Sequence, residues 1–275
     1  MNPKGLLLGV ALSFFVNSSV AFSAPPLDLT INDSYIKTAS QGFIEQGCAM
    51  VPLRGIATAL GCNFVEWNNN EKSVFFGDNE NKIKVYVGNY NATVNNKNTM
   101  MQQPVKLIGN TTYISARFLG TALGSTVSWN EKTHTVKISK PNHTVETDMI
   151  DTSYTKSDMD WLAKIVHAEA QGESKSGKIA VANVVLNRKK SREFPNTIYS
   201  VIFDRQFGVQ FTPVANGAIY NSPSVESYHA AKHALFGNNV AGESLYFCNP
   251  SISTNFWIIK NRPFYKKIGN HNFYL

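Results

Sequence analysis

An internal repeat with an offset of 63 residues sets what the first half of this chain can become. Ile31-Asn32 is matched by Val94-Asn95, Arg54 by Arg117, and the TALG at 58–61 by the TALG at 121–124. After a one-residue deletion, Trp67 is matched by Trp129 and Val74 by Val136. Each copy reads as a strand or hairpin, a short helix closed by Gly61 or Gly124, then a hairpin, FVEWNNNEKSVFF in one and TVSWNEKTHTVKI in the other. The arginine of each copy falls at the helix start. Trp67 and Trp129 are expected to cover the helix from the sheet, as core residues rather than sugar-stacking platforms.

From 139 to 159 the sequence SKPNHTVETDMIDTSYTKSDM loses apolar periodicity and gains Pro, Asn, Thr, Ser and acids, as a linker does. Ser157, with Asp160 three residues later, then marks a helix start. At the N-terminus, Lys4 precedes an apolar run, 6–16, and small residues through Ala21, Ser23 and Ala24, which is the pattern of a secretory signal peptide. The expected layout is a signal peptide, 1–24; a duplicated domain, 26–140; a linker, 141–156; and a second domain, 157–275. The apolar run is too short for a mature anchor and no later segment is long enough, so an exported protein without an integral membrane segment is expected.

Residues 1–160 hold 13 basic and 13 acidic side chains, so the whole net charge of +7 sits in 161–275. A basic half next to a neutral one points to an anionic polymer. Nucleic acid would satisfy the charge but conflicts with export, whereas an anionic cell-wall glycan satisfies both. Cys48, Cys62 and Cys248 are an odd set with wide spacing, neither a disulfide framework nor a metal-binding pair. A Cys48–Cys62 bridge and two small buried apolar residues remain equal readings. His229 and His233 stand at zinc-compatible spacing, but no HExxH glutamate accompanies them, and His134 stands alone before the linker, so neither a metal nor another cofactor is expected.

The residue placed for chemistry is Glu169. Over 160–170 the sequence reads as a helix with Leu162, Ile165 and Val166 at i, i+3 and i+4, and Glu169 falls at i+7 on that face. A carboxyl group there stands where a leucine belongs. Apolar surroundings disfavour its ionised form, which keeps a general acid protonated near neutral pH. Protonating a departing glycosidic oxygen needs such a group. The bland alternative is a solvent-facing Glu169, or one paired with His167 or Lys164. On the next helix, Asn183 and Asn187 share a face; they either line a cleft beside Glu169 or fix the helix to a loop. Glu173 either supports Glu169 electrostatically or caps the following turn.

Two resemblances follow from the motifs. VPLRGIATALG with VEW, and ISARFLGTALG with VSW, resemble the copper amine oxidase N-terminal-like domain over roughly 28–140, which implies an accessory module of exported bacterial proteins and no copper. The ordered motifs HAEAQGE, AVANVVLNR, FPNTIYSVIF, QFTPVANG, LYFCNP and IGNHNFY resemble the SleB/CwlJ cell wall hydrolases, which include spore cortex-lytic enzymes. That resemblance implies an α+β fold: a lysozyme- and lytic-transglycosylase-like catalytic domain, here behind a small duplicated α+β domain. It implies cleavage of peptidoglycan glycan strands, in spore cortex during germination, with Glu169 as the catalytic carboxyl. It carries over Gln210, Phe211, Thr212 and Pro213 from the QFTP loop, Tyr246, Phe247 and Asn249 from the LYFCNP strand, and Asn270 and His271 from the IGNH turn. Substrate contacts are accordingly expected from Glu173, Asn187, Gln210, Phe211, Tyr246, Asn249 and His271. Of the acids in 161–275, only Glu169 and Glu173 fall in a motif suggestive of an active site, which favours a one-acid lytic transglycosylase over a two-acid hydrolytic muramidase. A protein that only binds wall is the reading from another class.

Overall fold

The computed structural model describes residues 24–206, 208–253 and 256–275, so the expected signal peptide lies outside the described residues except for Ala24. The first half opens with a ribbon of β1 (Asp28–Ile31) and β2 (Ser34–Tyr35). One copy of the repeat follows: β3 (Phe43–Glu45), β4 (Cys48–Pro52), α1 (Leu53–Ala59), β5 (Phe64–Asn68) and β6 (Ser73–Gly77). Next come β7 (Lys82–Tyr86), β8 (Asn91–Val94) and β9 (Lys97–Met100). The second copy is β10 (Lys106–Ile108), β11 (Thr111–Ser115), α2 (Ala116–Ala122), β12 (Thr126–Asn130) and β13 (Thr135–Ser139). Both helices end before a left-handed glycine, Gly61 at φ 88° and Gly124 at φ 73°.

Repetition in sequence becomes symmetry in space. The copies share one sheet in the order β10-β11-β4-β3, and Val51 pairs antiparallel with Ile114, its own counterpart at the 63-residue offset. Met50 with Ser115 and Pro52 with Tyr113 flank that pair, so a local two-fold axis passes between Val51 and Ile114. The ribbon turns correspond too: Asn32 and Asp33, and Asn95 and Asn96, all take positive φ, as a two-residue hairpin of matching twist requires. One apolar core fills this half, with Ile31, Ile56, Leu60, Phe76, Ile83 and Ile114 fully buried. Trp129 packs partly against it, whereas Trp67 is exposed (37%) on β5, the edge strand of the sheet β5-β6-β7-β8-β9. That corrects the expectation for Trp67; Trp129, at the equivalent edge position on β12, is covered by the His134 ring at 4.8 Å, which itself meets His229 of the second half. The three cysteines are free thiols, so no bridge joins Cys48 to Cys62; Cys62 is buried and Cys48 only half-buried.

The second half is helical around a small sheet: α3 (Lys156–Ala170), α4 (Lys175–Lys190), α5 (Ile198–Ile202), α6 (Thr212–Asn216), α7 (Val225–Leu235), β14 (Tyr246–Cys248), α8 (Trp257–Asn261), β15 (Phe264–Ile268) and β16 (His271–Tyr274). Helix α3 starts earlier than the sequence suggests. Thr155, not Ser157, is its N-cap, in a capping box with Asp158. Helix α4 is apolar nearly all round, with Ile179, Ala180, Val181, Ala182, Val184 and Val185 fully buried, so it forms the centre that α3 and α7 pack upon. The antiparallel sheet β14-β16-β15 covers its other side through Phe273. No described helix is long and apolar enough to cross a membrane.

The segment between the halves is not a free tether. Ile36 bridges to Ile150, the Asp151 amide donates to the Tyr35 carbonyl at 2.9 Å, and Val145 and Tyr154 are buried. Beyond it, Lys232 of α7 forms a fully buried ion pair with Asp28 of β1 at 2.9 Å, and also donates to the carbonyls of Thr133 and His134 at 2.6 and 2.9 Å.

Candidate active site

Helix α3 delivers Glu169. Leu162, Ile165 and Val166 are fully buried, and the carboxyl group continues their stripe in the last helical turn, partly reachable from solvent. Burial raises its pKa to about 7, offset in part by the nearby Arg188 charge. Its place at the helix C-terminus works the same way, because the macrodipole there disfavours a negative charge. None of the hydrogen bonds or ion pairs of the described residues engages Glu169, so the solvent-facing and His167- or Lys164-paired alternatives are both absent from this geometry. Cavities of ≈ 260 and ≈ 620 Å³ lie against Asp28 and Tyr154 and against Trp129; neither is lined by Glu169, which is approached from the surface.

Sequence reasoning passed over the residue that organises the surroundings. Arg188, on α4, is 4% exposed, and burial lowers its pKa to about 10 while Tyr246, Asp204 and Glu169 counter that shift. Its Nε donates to the Leu245 carbonyl at 2.7 Å and its Nη1 to the Gln210 Oε1 at 3.3 Å. The guanidinium carbon also lies 4.8, 5.2 and 5.4 Å from the ring centroids of Phe194, Phe211 and Tyr246. Gln210, Phe211 and Tyr246 therefore converge, with Glu169, on one buried cation. A signal was available: Arg188 follows Val181, Val184 and Val185 on an apolar face, as Glu169 follows Leu162 and Ile165.

The other expected contact residues are engaged elsewhere. The Asn187 amide donates to the carbonyls of Gly242 and Ser244 at 2.7 and 3.0 Å, and Asn183 donates to Asn238 and accepts from the Val240 amide. Both asparagines fix α4 to the loop after α7, because an amide in an apolar helix must find partners. The Glu173 carboxylate accepts from the Asn270 backbone amide at 3.1 Å and its side-chain amide at 2.9 Å. Burial works against its charge, yet those donors hold its pKa below the usual range. Gly269 makes this clasp possible: it takes φ 59°, and a Cβ there would run into the Glu173 carboxylate. His271 is 6% exposed, its ring edge-on to Phe247 at 5.3 Å, and burial lowers its pKa. Asn249 receives the Ser251 amide on its side chain and so shapes a turn. Glu173, Asn187, Asn249 and His271 are thus each held by contacts within the protein.

Among the described residues, no group of three His, Cys, Asp or Glu side chains is arranged to hold a metal. Burial pushes up the pKa of the Cys248 thiol, which argues against a reactive thiolate. What the geometry offers is one carboxyl group poised to exchange a proton near neutral pH, beside a cation and a wall of aromatic rings.

Comparison with known proteins gives the context. Residues 172–274 match the Cell Wall Hydrolase family, and residues 30–138 and 112–181 match the Copper amine oxidase N-terminal domain. Glu169 lies just ahead of the matched 172–274 stretch. A spore cortex-lytic enzyme of Bacillus cereus is 37% identical over 150 residues, 54% of this chain and 56% of that protein. A spore cortex-lytic enzyme of Oceanobacillus iheyensis is 40% identical over 120 residues, 44% and 42% of the two chains. The chain thus spans about half the length of the curated relatives it matches. The solved catalytic domain of the germination-specific lytic transglycosylase SleB from Bacillus anthracis is 40% identical, covers 46% of this chain and all of its own, and superposes with a TM-score of 0.42.

Proposed function

We propose that this chain, whose second half is of the SleB/CwlJ cell wall hydrolase type and whose first half is of the copper amine oxidase N-terminal type, cleaves peptidoglycan glycan strands as a lytic transglycosylase. The observation that carries this reading is the carboxyl group of Glu169, which no described residue pairs or hydrogen-bonds and whose pKa burial raises to about 7. Protonated, Glu169 donates to the glycosidic oxygen after N-acetylmuramic acid as the bond to C1 breaks. As carboxylate, it then takes the proton of that sugar's own C6 hydroxyl while the oxygen attacks C1. Ring closure is intramolecular, so neither a held water nor a second carboxylate is required. Glu173, the other acid in the motif, is occupied by Asn270 and is poorly placed to activate a water. Tyr246 and Gln210 face the same region through Arg188 and are suited to orient the sugar. The N-terminal leader pattern sends the protein to the cell envelope, and its substrate is the cortex of the spore, by analogy with the spore cortex-lytic enzymes it resembles.

The test is product chemistry in labelled water. Digestion of cortex should release muropeptides ending in 1,6-anhydro-muramic acid, with no heavy oxygen incorporated and no new reducing ends. Reducing N-acetylmuramic acid carrying the label would instead assign a hydrolytic muramidase, and the absence of any cleavage would leave a wall-binding protein.

A further inference from the structure

The guanidinium of Arg262 lies against two aromatic rings without an ion-pair partner among the described residues. The residue follows α8 directly, its amide caps that helix by donating to the Ile258 carbonyl at 3.0 Å, and Pro263 fixes the chain after it. Its guanidinium carbon lies 4.3 Å from the Tyr246 ring centroid and 5.3 Å from that of Trp257. The two rings meet each other edge to face at 6.3 Å between centroids, so they wall the guanidinium on adjoining sides; its Nε is buried without an acceptor, and none of the ion pairs of the described residues includes it. A buried donor on a charged group left unmade is costly, and a planar guanidinium positioned by rings keeps a second pair of donors suited to a carboxylate. The local charge agrees. Residues 244–275 contain Lys260, Arg262, Lys266 and Lys267 and no Asp or Glu. The Tyr246 ring also touches Arg188, which is the charged neighbour of Glu169, so Arg262 stands one ring farther out on the same flank.

We propose that Arg262, set against the rings of Tyr246 and Trp257, is a specificity-determining residue that receives a carboxylate of the glycan strand beside the bond being cleaved. Two sources share that chemistry: the lactyl carboxylate of a muramic acid without a stem peptide, and the carboxylates of the stem peptide on one that carries it. The inference rests on the glycan-cleaving reading above.

The experiment compares the full-length protein with Arg262→Gln and Arg262→Lys on three polymers: native sacculi, sacculi whose carboxyl groups have been converted to amides, and strands stripped of stem peptides. Wild type should show a KM about tenfold lower on native than on amidated polymer, the value of one charged hydrogen bond. Arg262→Gln should raise the native KM by a similar factor, leave kcat within about twofold and erase the preference for native over amidated polymer. Arg262→Lys, which keeps charge without the planar fork, should recover only part of it. A KM on stripped strands, whose lactyl carboxyls are free, at or below the native value assigns the lactyl carboxylate, and a KM as high as on amidated polymer assigns the peptide. Equal wild-type KM values on native and amidated polymer overturn the proposal even if the variants do not fold, and so does an Arg262→Gln enzyme with wild-type preference. Failure of wild type to cleave any of the polymers would instead overturn the glycan-cleaving reading.

Discussion

Glu169 is a residue whose chemistry is set against its stability. In the unfolded chain its carboxyl titrates near 4.5 and in the folded protein near 7, so the folded state binds the proton more tightly. Stability therefore falls as pH rises through that window, and the loss is complete above it. Glu169→Gln removes the cost. The variant should be more stable than wild type by about 1–3 kcal/mol near pH 8 and by little near pH 4, read from urea midpoints. The same substitution should lower turnover by at least about a hundredfold, because an amide has no proton of suitable acidity. Equal stability across pH would show that the carboxyl group is not desolvated. Arg188 supplies the second expectation. An acid that must be protonated gives a rate that declines as pH passes about 7, and Arg188→Met, by deleting the positive neighbour, should move that decline to higher pH. A fixed position in a folded variant would remove Arg188 from the electrostatics of the site.

At the level of elements, the legible parts were those with a period. Helix α3 and its carboxyl group could be read because Leu162, Ile165 and Val166 mark a face, and α7 because Ser224 and Gly237 punctuate it. What could not be read is where equal local signals compete or where partners come from afar. Thr155 with Asp158 and Ser157 with Asp160 have the same capping spacing, and only packing around the buried Tyr154 selects the first. Alternation marks the faces of β5 and β12 alike and could not reveal that only Trp129 meets a ring, His134, backed by the second half, while Trp67 is exposed. Arg188 and Arg262 draw on aromatic rings from loops and strands that no spacing rule connects. Asn187 allowed two readings, and the structure separates them by occupying its amide. Asn187→Ala should therefore cost about 1–3 kcal/mol, by stranding the carbonyls of Gly242 and Ser244, and leave KM for glycan unchanged. A raised KM at unaltered stability would return Asn187 to the substrate.

For the whole molecule, the decisive contact is the one that ties the halves together. Asp28 and Lys232 are 5% and 1% exposed, and the Tyr154 hydroxyl donates to the same carboxylate at 2.9 Å. Burial raises the Asp28 pKa and lowers that of Lys232, so each charge depends on the other being present. Around them, His134 of the first half meets His229 of α7 at 5.7 Å between rings, and burial lowers the pKa of His134, His229 and His233, the last to about 4. Lys175 and Lys232 push in the same direction on His229 and His233, and Glu131 weakly opposes them at His134 and His229. Unfolded imidazoles titrate near 6.5, so between about 6.5 and 4 the unfolded chain binds more protons and stability drops as pH falls. A repeat domain joined in this way acts as a buttress for α7, and through α7 for the helix that carries Glu169. Lys232→Met should leave Asp28 buried and unpaired and cost about 3–5 kcal/mol, whereas Asp28→Asn with Lys232→Met should recover most of that, since breaking a buried pair costs more than replacing it. Chemical unfolding followed by both tryptophan fluorescence and residual glycan cleavage measures the effect. One shared transition in wild type that separates into two in Lys232→Met is the expected result. Two transitions already in wild type, with neither moved by the substitution, would make the halves independent bodies and the ion pair incidental.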